Sequence, residues 1–377
     1  MTNIFNFLDI VEDKSGGNKK IPQSEYLEKG NIPVIDQGQA FIAGYTDREE
    51  YLFSSTELPV VIFGDHTKAV KYIDFPFAMG ADGVKVLKPK DGLDTKYFYH
   101  FLKYTPITDA GYSRHFKFLK EKLVPVPPLE EQRRIASILD KADNIRQKRQ
   151  QAIAKLDELL QATFIDMFGD PLENPKKFPI KKLSELYIDP KNGTKCGPFG
   201  SALKREEYTD SGIPVWSMDV LSLKGEFHDQ PSLWISDKKY SELEMYAVIE
   251  GDILISRAGT VGKMGVVRSR FEKSIISTNL IRLRFGNKLR PDYFVSLMTF
   301  CKTRLPRLKT GADGAFTHMN TGILDNLEFP YPKIEIQDEY LKIYVNIQKQ
   351  KKALLKSASH FDDLFNALQQ KAFNGTL

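Results

Sequence analysis

Side chains that could carry out catalysis are sparse in this sequence, and one place to look for them is the segment Gly64-Asp65-His66. An aspartate next to a histidine can support acid–base catalysis when a substrate proton lies within hydrogen-bonding reach. A single Asp–His pair in a loop is more typical of a turn or of a binding contact. The segment therefore predicts a structural or nucleic-acid-contacting role in preference to catalysis.

Other catalytic motifs are present only as fragments. A phosphate-binding loop ending at Gly262-Lys263 would need glycine at position 257 and a hydroxyl residue at 264, where Arg257 and Met264 stand. Residues 174–177, NPKK, do not form the Asn-Pro-Pro-aromatic loop of an amino-methyltransferase. Pro291-Asp292 is not followed by the acid and lysine expected in a metal nuclease. The sequence therefore predicts no catalytic residues, no cofactor and no metal site.

Composition indicates a globular protein of two or three domains. The chain has 377 residues, of which 41% are hydrophobic and 27% charged. Cys196 and Cys301 give neither a disulfide framework nor a zinc spacing, which favours a reducing compartment. The start of the chain does not resemble a signal peptide, and no apolar run approaches the roughly 20 residues of a membrane helix. We therefore expect a cytoplasmic protein that does not engage a membrane.

Positive charge is concentrated in one internal segment. The net charge is +5, and the excess of Lys and Arg within residues 172–329 accounts for it, while the other segments nearly cancel. A local basic patch attracts polyanions. The distribution permits nucleic-acid binding without proving it.

A repeated sequence motif predicts two long helices. Residues 125–132, PVPPLEEQ, recur as residues 330–337, PYPKIEIQ, and the match continues without a gap. Each copy then shows the three-and-four spacing of a coiled-coil seam, interrupted at Arg149 in the first copy and at Gln350 and Ser357 in the second. A helix of about 38 residues cannot bury such a stripe alone. We expect the two copies to pack together as antiparallel helices; a partner helix from another protein is the alternative.

The predicted spacer and partner-binding residues are apolar members of these two seams. They are Ile138, Ile145, Leu156, Leu159, Ile343, Ile347, Leu364 and Leu368.

The stretches before the helices also echo each other. GNIPVI at 30–35 matches GIPVW at 212–216, and LDTKYFYHFL at 93–102 matches LRPDYFVSLM at 289–298. Residues 60–63 and 252–255 read as strands, residues 97–102 as a short helix, and Gly169 as the end of the first long helix. The pattern predicts an α+β fold with a tandem, pseudo-two-fold duplication: globular domains at 1–124 and 172–329, and helical regions at 125–171 and 330–377.

Several motifs, in this order, resemble the specificity subunits of type I restriction–modification systems. They are PPLEEQ at 127–132, GPFGS at 197–201, GIPV at 212–215 and GDILISRAGTVGK at 251–263. The resemblance covers essentially the whole chain. It departs from the family where the second helix entry, Glu335-Ile336-Gln337, lacks the doubled acid, and where the first half lacks GPFGS. These departures indicate that the two halves of the chain differ in the way they recognise their targets.

The resemblance implies a non-catalytic subunit with two target-recognition domains. Each domain would read one half-site of a bipartite double-stranded DNA target, and the helices would set the gap between half-sites. The helices would also dock methyltransferase (M) subunits, two per chain, and through them the restriction (R) subunits. The alternative, from a different class, is a stand-alone interaction protein that holds two binding domains on a coiled-coil arm.

Candidate DNA contacts combine cations with loop-borne polar and aromatic residues. Arg114 and Arg257 could each bind guanine O6 and N7, and Asn279 could pair with adenine. The other candidates, for which a solvated basic face is the alternative, are Lys68, Lys71, His115 and Lys117 in the first half and Lys195, Phe199, Ser201, Lys204, Lys263, Arg307, Lys309 and His318 in the second.

Overall fold

The computed structural model describes residues 2–80, 83–107, 113–199, 202–257, 262–301 and 319–377. The chain divides into two compact units, the first formed by Met1–Ala152 with Leu354–Leu377 and the second by Ile153–Ala353. Both units mix short strands with helices, so the predicted α+β class is confirmed. Among the described residues, no helix has the length and apolar character required to cross a lipid bilayer.

The first unit contains mostly short strands. They are β1 (Asn3–Asn6), β2 (Val11–Asp13), β3 (Ile32–Ile35), β4 (Gly44–Thr46), β5 (Val60–Gly64), β6 (Val70–Ile73), β7 (Ala78–Met79), β8 (Val84–Pro89) and β9 (Leu123–Val126). Its short helices are α1 (Phe7–Ile10), α2 (Thr95–Tyr104) and α3 (Phe116–Lys120). The strand predicted at 60–63 and the helix predicted at 97–102 are both confirmed.

The long helices α4 (Leu129–Phe168) and α8 (Ile334–Phe373) each contribute residues to both units. The strands between them are β10 (Ile180–Lys182), β11 (Thr194–Cys196), β12 (Tyr208–Thr209), β13 (Ile213–Trp216), β14 (Leu233–Ile235), β15 (Ile253–Ser256), β16 (Met264–Val266), β17 (Ile275–Ile276), β18 (Leu280–Leu283) and β19 (Glu328–Pro330). The helices between them are α5 (Asp237–Glu242), α6 (Pro291–Cys301) and α7 (Thr321–Asp325).

The two units repeat one strand order. The sheet β2-β8-β5-β6 of the first unit recurs as β11-β18-β15-β16 in the second. The sheet β4-β3-β7 recurs as β14-β13-β17, extended by β12, and both contain one parallel pair, β3 with β7 and β13 with β17. The ribbons β1-β9 and β10-β19 also correspond. The predicted tandem duplication is confirmed.

β5 is the strand that organises the first unit. All five of its residues are buried, because it has a hydrophobic core on each face. Side chains alternate along a strand, so Val61 and Phe63 pack with α2 while Val60 and Ile62 pack into the opposite core. β15 follows the same alternation in the second unit. Both strands therefore hold the loops at their ends on a rigid support.

The long helices run antiparallel within each unit. In the first unit Arg134 on α4 donates to the carbonyl oxygen of Leu377 at 2.7 Å, and Arg149 donates to that of Ser357 at 2.9 Å. In the second unit the rings of Phe164 and Tyr340 are 5.7 Å apart. The predicted packing of the two copies on each other is confirmed. α4 ends at Phe168, before Gly169, whose φ of +73° suits a glycine.

The predicted seam is only half right. Ile347 is buried, and Ile138, Leu156 and Leu368 are half-buried. The seam prediction is wrong for four residues whose side chains are 41–52% exposed: Ile145, Leu159, Ile343 and Leu364. Leu139, Phe164, Phe168 and Phe365 are buried in their place. The contact line departs from the heptad assignment because a helix has 3.6 residues per turn. Arg146, next to the expected Ile145, and Arg149, a predicted interruption, cover aromatic rings on α8.

Candidate nucleic-acid interface

The same backbone arrangement occurs at the end of β5 and at the end of β15. Asp65 follows β5; its N–H donates to the carbonyl of Gly83 and its own carbonyl accepts from the N–H of His115, both at 2.8 Å. Arg257 follows β15; its N–H donates to the carbonyl of Asn279 at 2.9 Å and its carbonyl accepts from the N–H of Met319 at 3.1 Å. Each unit therefore brings three separate segments together at one loop cluster.

In the second unit this cluster presents a cation on an aromatic ring. The guanidinium carbon of Arg257 lies 4.6 Å from the centroid of the Phe199 ring. The Phe199 side chain is 54% exposed, and Asn279 is also exposed. Arg257 is half-buried, and its Nη1 atom is buried and has no hydrogen-bond partner within the described part of the chain. The stacking orients a charged, planar donor group against an exposed aromatic ring.

Two local features support the elements that carry this group. Gly197, at the start of the Gly197–Phe199 segment, lies so close to the turn after β17 that a Cβ atom would be 1.9 Å from the carbonyl oxygen of Ser277. The buried Asp252, which precedes β15, accepts two hydrogen bonds of 2.8 Å from Arg284. The close backbone approach therefore fixes the segment that carries Phe199 next to the turn that leads to Asn279, and the ion pair joins the opposite ends of β15 and β18.

The first unit fills the equivalent position with an acid. Asp65 is buried, and its Oδ1 accepts a hydrogen bond of 2.8 Å from the N–H of Phe116 at the start of α3. His115 is buried too, and its Nδ1 lies 3.0 Å from the carbonyl oxygen of Asp65. These two side chains hold the loop cluster together from inside. Arg114, next to them, is exposed.

The predicted lysines of the first unit differ in their surroundings. Lys71 is buried, and its Nζ donates to the carbonyl oxygen of Asp36 at 2.9 Å. Burial lowers the pKa of the Lys71 ammonium below its usual value, although the nearby Asp36 carboxylate opposes the shift. Lys117 is exposed and lies over the Phe118 ring at 4.8 Å. Lys68 is half-buried in the β5–β6 turn with a φ of +58°. Contact with DNA stays a prediction for these residues.

The predicted residues of the second unit spread over a wider surface. Lys195 on β11 is half-buried over the Tyr246 ring, and Lys204 is exposed. Lys263 lies at the end of the β15–β16 connection, where its N–H donates to Ser256 Oγ at 2.9 Å. Four further predicted contacts lie outside the described residues: Ser201, Arg307, Lys309 and His318. No cluster of three or more His, Cys, Asp or Glu side chains suited to a metal occurs within the described ranges.

Sequence reasoning did not foresee the partners that define the two loop clusters. Gly83 and Met319 take part only through their backbones, which composition cannot reveal. Gln37, which accepts the His66 N–H at Oε1 at 3.2 Å, was also missed. The sequence did offer one indication of Gln37: it follows β3 closely, and the Ile-Pro-Val motif of β3 is repeated in β13 of the second half.

Comparison with known proteins gives one consistent result. The family model described as "Type I restriction modification DNA specificity domain" matches residues 3–155 and 195–357. The Escherichia coli type I restriction enzyme EcoR124I/EcoR124II specificity subunit is 30% identical over 133 residues, 32% of this chain and 33% of that protein. The Methanocaldococcus jannaschii type I restriction enzyme MjaVIII specificity subunit is 25% identical over 234 residues, 59% of this chain and 54% of that protein.

These alignments span about a third and about half of the two relatives' own lengths. The crystal structure of the type I restriction–modification system S subunit from M. genitalium has the same fold, with a TM-score of 0.64 at 17% identity, covering 99% of this chain and 96% of that one. At the level of the family, the predicted resemblance to type I restriction–modification specificity subunits is confirmed. With its family model matched in both halves, the chain belongs to the family of type I restriction modification DNA specificity domains.

Proposed function

We propose that this chain is the non-catalytic specificity subunit of a type I restriction–modification complex and reads a bipartite double-stranded DNA target. The observation that carries the proposal is the duplicated loop cluster, built around Asp65 in one unit and Arg257 in the other. One supported loop cluster per unit suits one half-site per unit. The predicted boundaries at 124, 171 and 329 are part of this proposal, as is a cytoplasmic location.

The second unit has the better-defined candidate for base recognition, the guanidinium of Arg257. A guanidinium held on an aromatic ring is pre-oriented to donate two hydrogen bonds to guanine O6 and N7 in the major groove. Asn279, joined to Arg257 through the backbone, can pair with adenine N6 and N7. Lys204 and Lys263 supply positive charge for phosphates. We therefore assign base reading to Arg257 and Asn279, and positioning to the lysines.

In the first unit we assign DNA contact to the exposed side chains of Arg114 and Lys117. His115 and Lys71, which were predicted as contacts, are buried, so we assign them to the support of the loop cluster. The different residues at equivalent places agree with two halves that read different sequences.

The long helices are the proposed docking surface for the M subunits, two per chain, through which the R subunits would join. The exposed apolar side chains Ile145, Leu159, Ile343 and Leu364 support this assignment, because they remain available after α4 and α8 have packed.

The test is co-expression with candidate methyltransferase subunits, followed by co-purification and a map of adenine methylation with and without this chain. We expect a stable complex and methylation at one split motif of fixed gap, lost when the chain is omitted. Absence of a complex together with an unchanged map would contradict the proposal and favour the stand-alone interaction protein.

A further inference from the structure

A buried glutamine occupies the first turns of each long helix. Gln132 on α4 and Gln337 on α8 are both fully buried, and they occupy matching positions of the repeated Pro-rich motif. The Oε1 atom of Gln132 accepts from the N–H of Asp94 at 2.8 Å. Its Nε2 atom donates to the carbonyl oxygens of Pro127 at 2.8 Å and Gly92 at 2.9 Å. One side chain thus joins the helix, the Pro-rich step and the loop before α2.

The second glutamine repeats two of these three hydrogen bonds. Oε1 of Gln337 accepts from the N–H of Arg290 at 2.9 Å, and Nε2 donates to the carbonyl oxygen of Pro332 at 2.9 Å. Arg290 directly precedes α6, as Asp94 directly precedes α2. Two halves with different loops and different surface residues therefore keep the same buried connection between globular part and helix.

Only a neutral amide can make this connection. The site requires a donor and an acceptor on one side chain with no access to water, and glutamate lacks the donor when ionised. An apolar replacement leaves a part-buried N–H and a buried carbonyl unpaired, at up to about 1–3 kcal/mol each. Tyr97 and Tyr293 reinforce the same region, because their hydroxyls donate to the carbonyls of Pro125 at 2.7 Å and Pro330 at 3.5 Å.

We infer that Gln132 and Gln337 are positioning residues that fix the orientation of each recognition half relative to its long helix. Through this orientation they set the number of base pairs that the protein accepts between the two half-sites. The inference rests on the proposed bipartite function. If these hydrogen bonds are lost, the recognition half can change its orientation relative to the helix, but its loop cluster stays intact and still binds its half-site. What is lost is the discrimination between gaps of different length.

The test uses the full chain in complex with its methyltransferase subunits. Gln132→Met and Gln337→Met keep side-chain length but remove both hydrogen-bonding groups. Binding is measured on duplexes that carry the same half-sites at the preferred gap and at gaps longer or shorter by one base pair. We expect the ratio of affinities between preferred and altered gap to fall about tenfold, equivalent to about 1.4 kcal/mol, with little change in the affinity for a single half-site.

The matched controls are Gln150→Met and Gln350→Met, exposed glutamines on the same two helices, which should leave the ratio unchanged. Amide hydrogen exchange gives a readout independent of DNA: the N–H groups of Asp94 and Arg290 should exchange faster in the corresponding variants. If a Met variant does not fold, Gln→Asn, which is one methylene shorter, replaces it.

Folded variants that retain both the wild-type gap preference and slow exchange would overturn the inference. A wild-type protein that shows no split target would instead overturn the proposed function, and the inference with it.

Discussion

Nη1 of Arg149 on α4 donates a hydrogen bond to the backbone carbonyl oxygen of Ser357 on α8 at 2.9 Å. The same guanidinium lies 3.9 Å from the centroid of the Phe361 ring. Arg149 and Ser357 are two of the positions at which the apolar seam is interrupted, so the interruptions meet each other. A polar contact within a helix pair fixes its register, because sliding the helices would leave the polar groups unpaired.

Loss of this contact should destabilise the helix pair in the first unit. We expect Arg149→Ala to lower the free energy of unfolding by about 1–3 kcal/mol, from the lost hydrogen bond and cation–π contact. Lys148→Ala, at the exposed neighbouring position, should change it by less than about 0.5 kcal/mol. Urea unfolding measures the change in the free energy of unfolding, and amide hydrogen exchange of residues 354–377 shows whether this segment is the part that is destabilised. Equal effects of the two substitutions would show that the contact does not set the stability of this segment.

The close approach at Gly197 predicts a steric effect. Gly197→Ala should force the Gly197–Phe199 segment away from Ser277, with a cost of about 1–3 kcal/mol in the stability of the second unit. Binding to the target duplex should weaken as well, because Phe199 would leave Arg257. Gly16→Ala, where no atom lies within 4 Å of the added methyl group, is the control and should be neutral. Thermal unfolding and duplex affinity of both variants provide the check, and a Gly197→Ala protein that matches the control would refute it.

Arg257 should contribute specificity more than general affinity. We expect Arg257→Ala to weaken binding to the target duplex by about 1–3 kcal/mol and to leave binding to unrelated DNA nearly unchanged. Arg270→Ala is a suitable control, because Arg270 is a highly exposed cation of the same unit. Fluorescence anisotropy with target and scrambled duplexes separates the two effects. A parallel loss on both duplexes would reassign Arg257 to phosphate contact.

Lys117 and Lys71 should differ in the salt dependence of DNA binding. Removal of a phosphate contact lowers the slope of log affinity against log salt by about 0.9. We expect this change for Lys117→Ala, whose side chain is exposed, and no change for Lys71→Met, whose ammonium is bound to Asp36. Titrations at several salt concentrations test the pair, and an altered slope for Lys71→Met would return that residue to the DNA surface.

The lowered pKa of Lys71 predicts a pH dependence of stability. Burial lowers this pKa in the folded protein, whereas the unfolded chain has an ordinary lysine pKa of about 10.4. Between the two pKa values the unfolded state binds more protons, so the free energy of unfolding rises with pH in that window. The stability of the wild type relative to Lys71→Met should therefore increase as pH is raised toward about 10.4. Urea unfolding of both proteins across this range gives the result, and a constant difference would contradict it.

The sequence by itself determined the duplication, the α+β class, the two long helices and the family. These features leave periodic or repeated signals, because a buried strand must be apolar, a paired helix must carry a stripe, and PVPPLEEQ recurs as PYPKIEIQ. The end of α4 before Gly169 was equally readable, since a positive φ favours glycine. Residue types also indicated which loops carry cations.

Only the tertiary structure decided which of those residues share a surface. Lys71 and Lys117 are both lysines that the sequence marks as candidate DNA contacts. Lys71 is buried against Asp36 and Lys117 is exposed, because burial depends on segments distant along the chain. The exposed Leu159 and buried Phe164 show the same for the seam, where the twist of two packed helices selects the contact line. The pairing of Asp65 with Arg257 as equivalent positions rests on backbone hydrogen bonds, which every residue type can make and which no composition encodes.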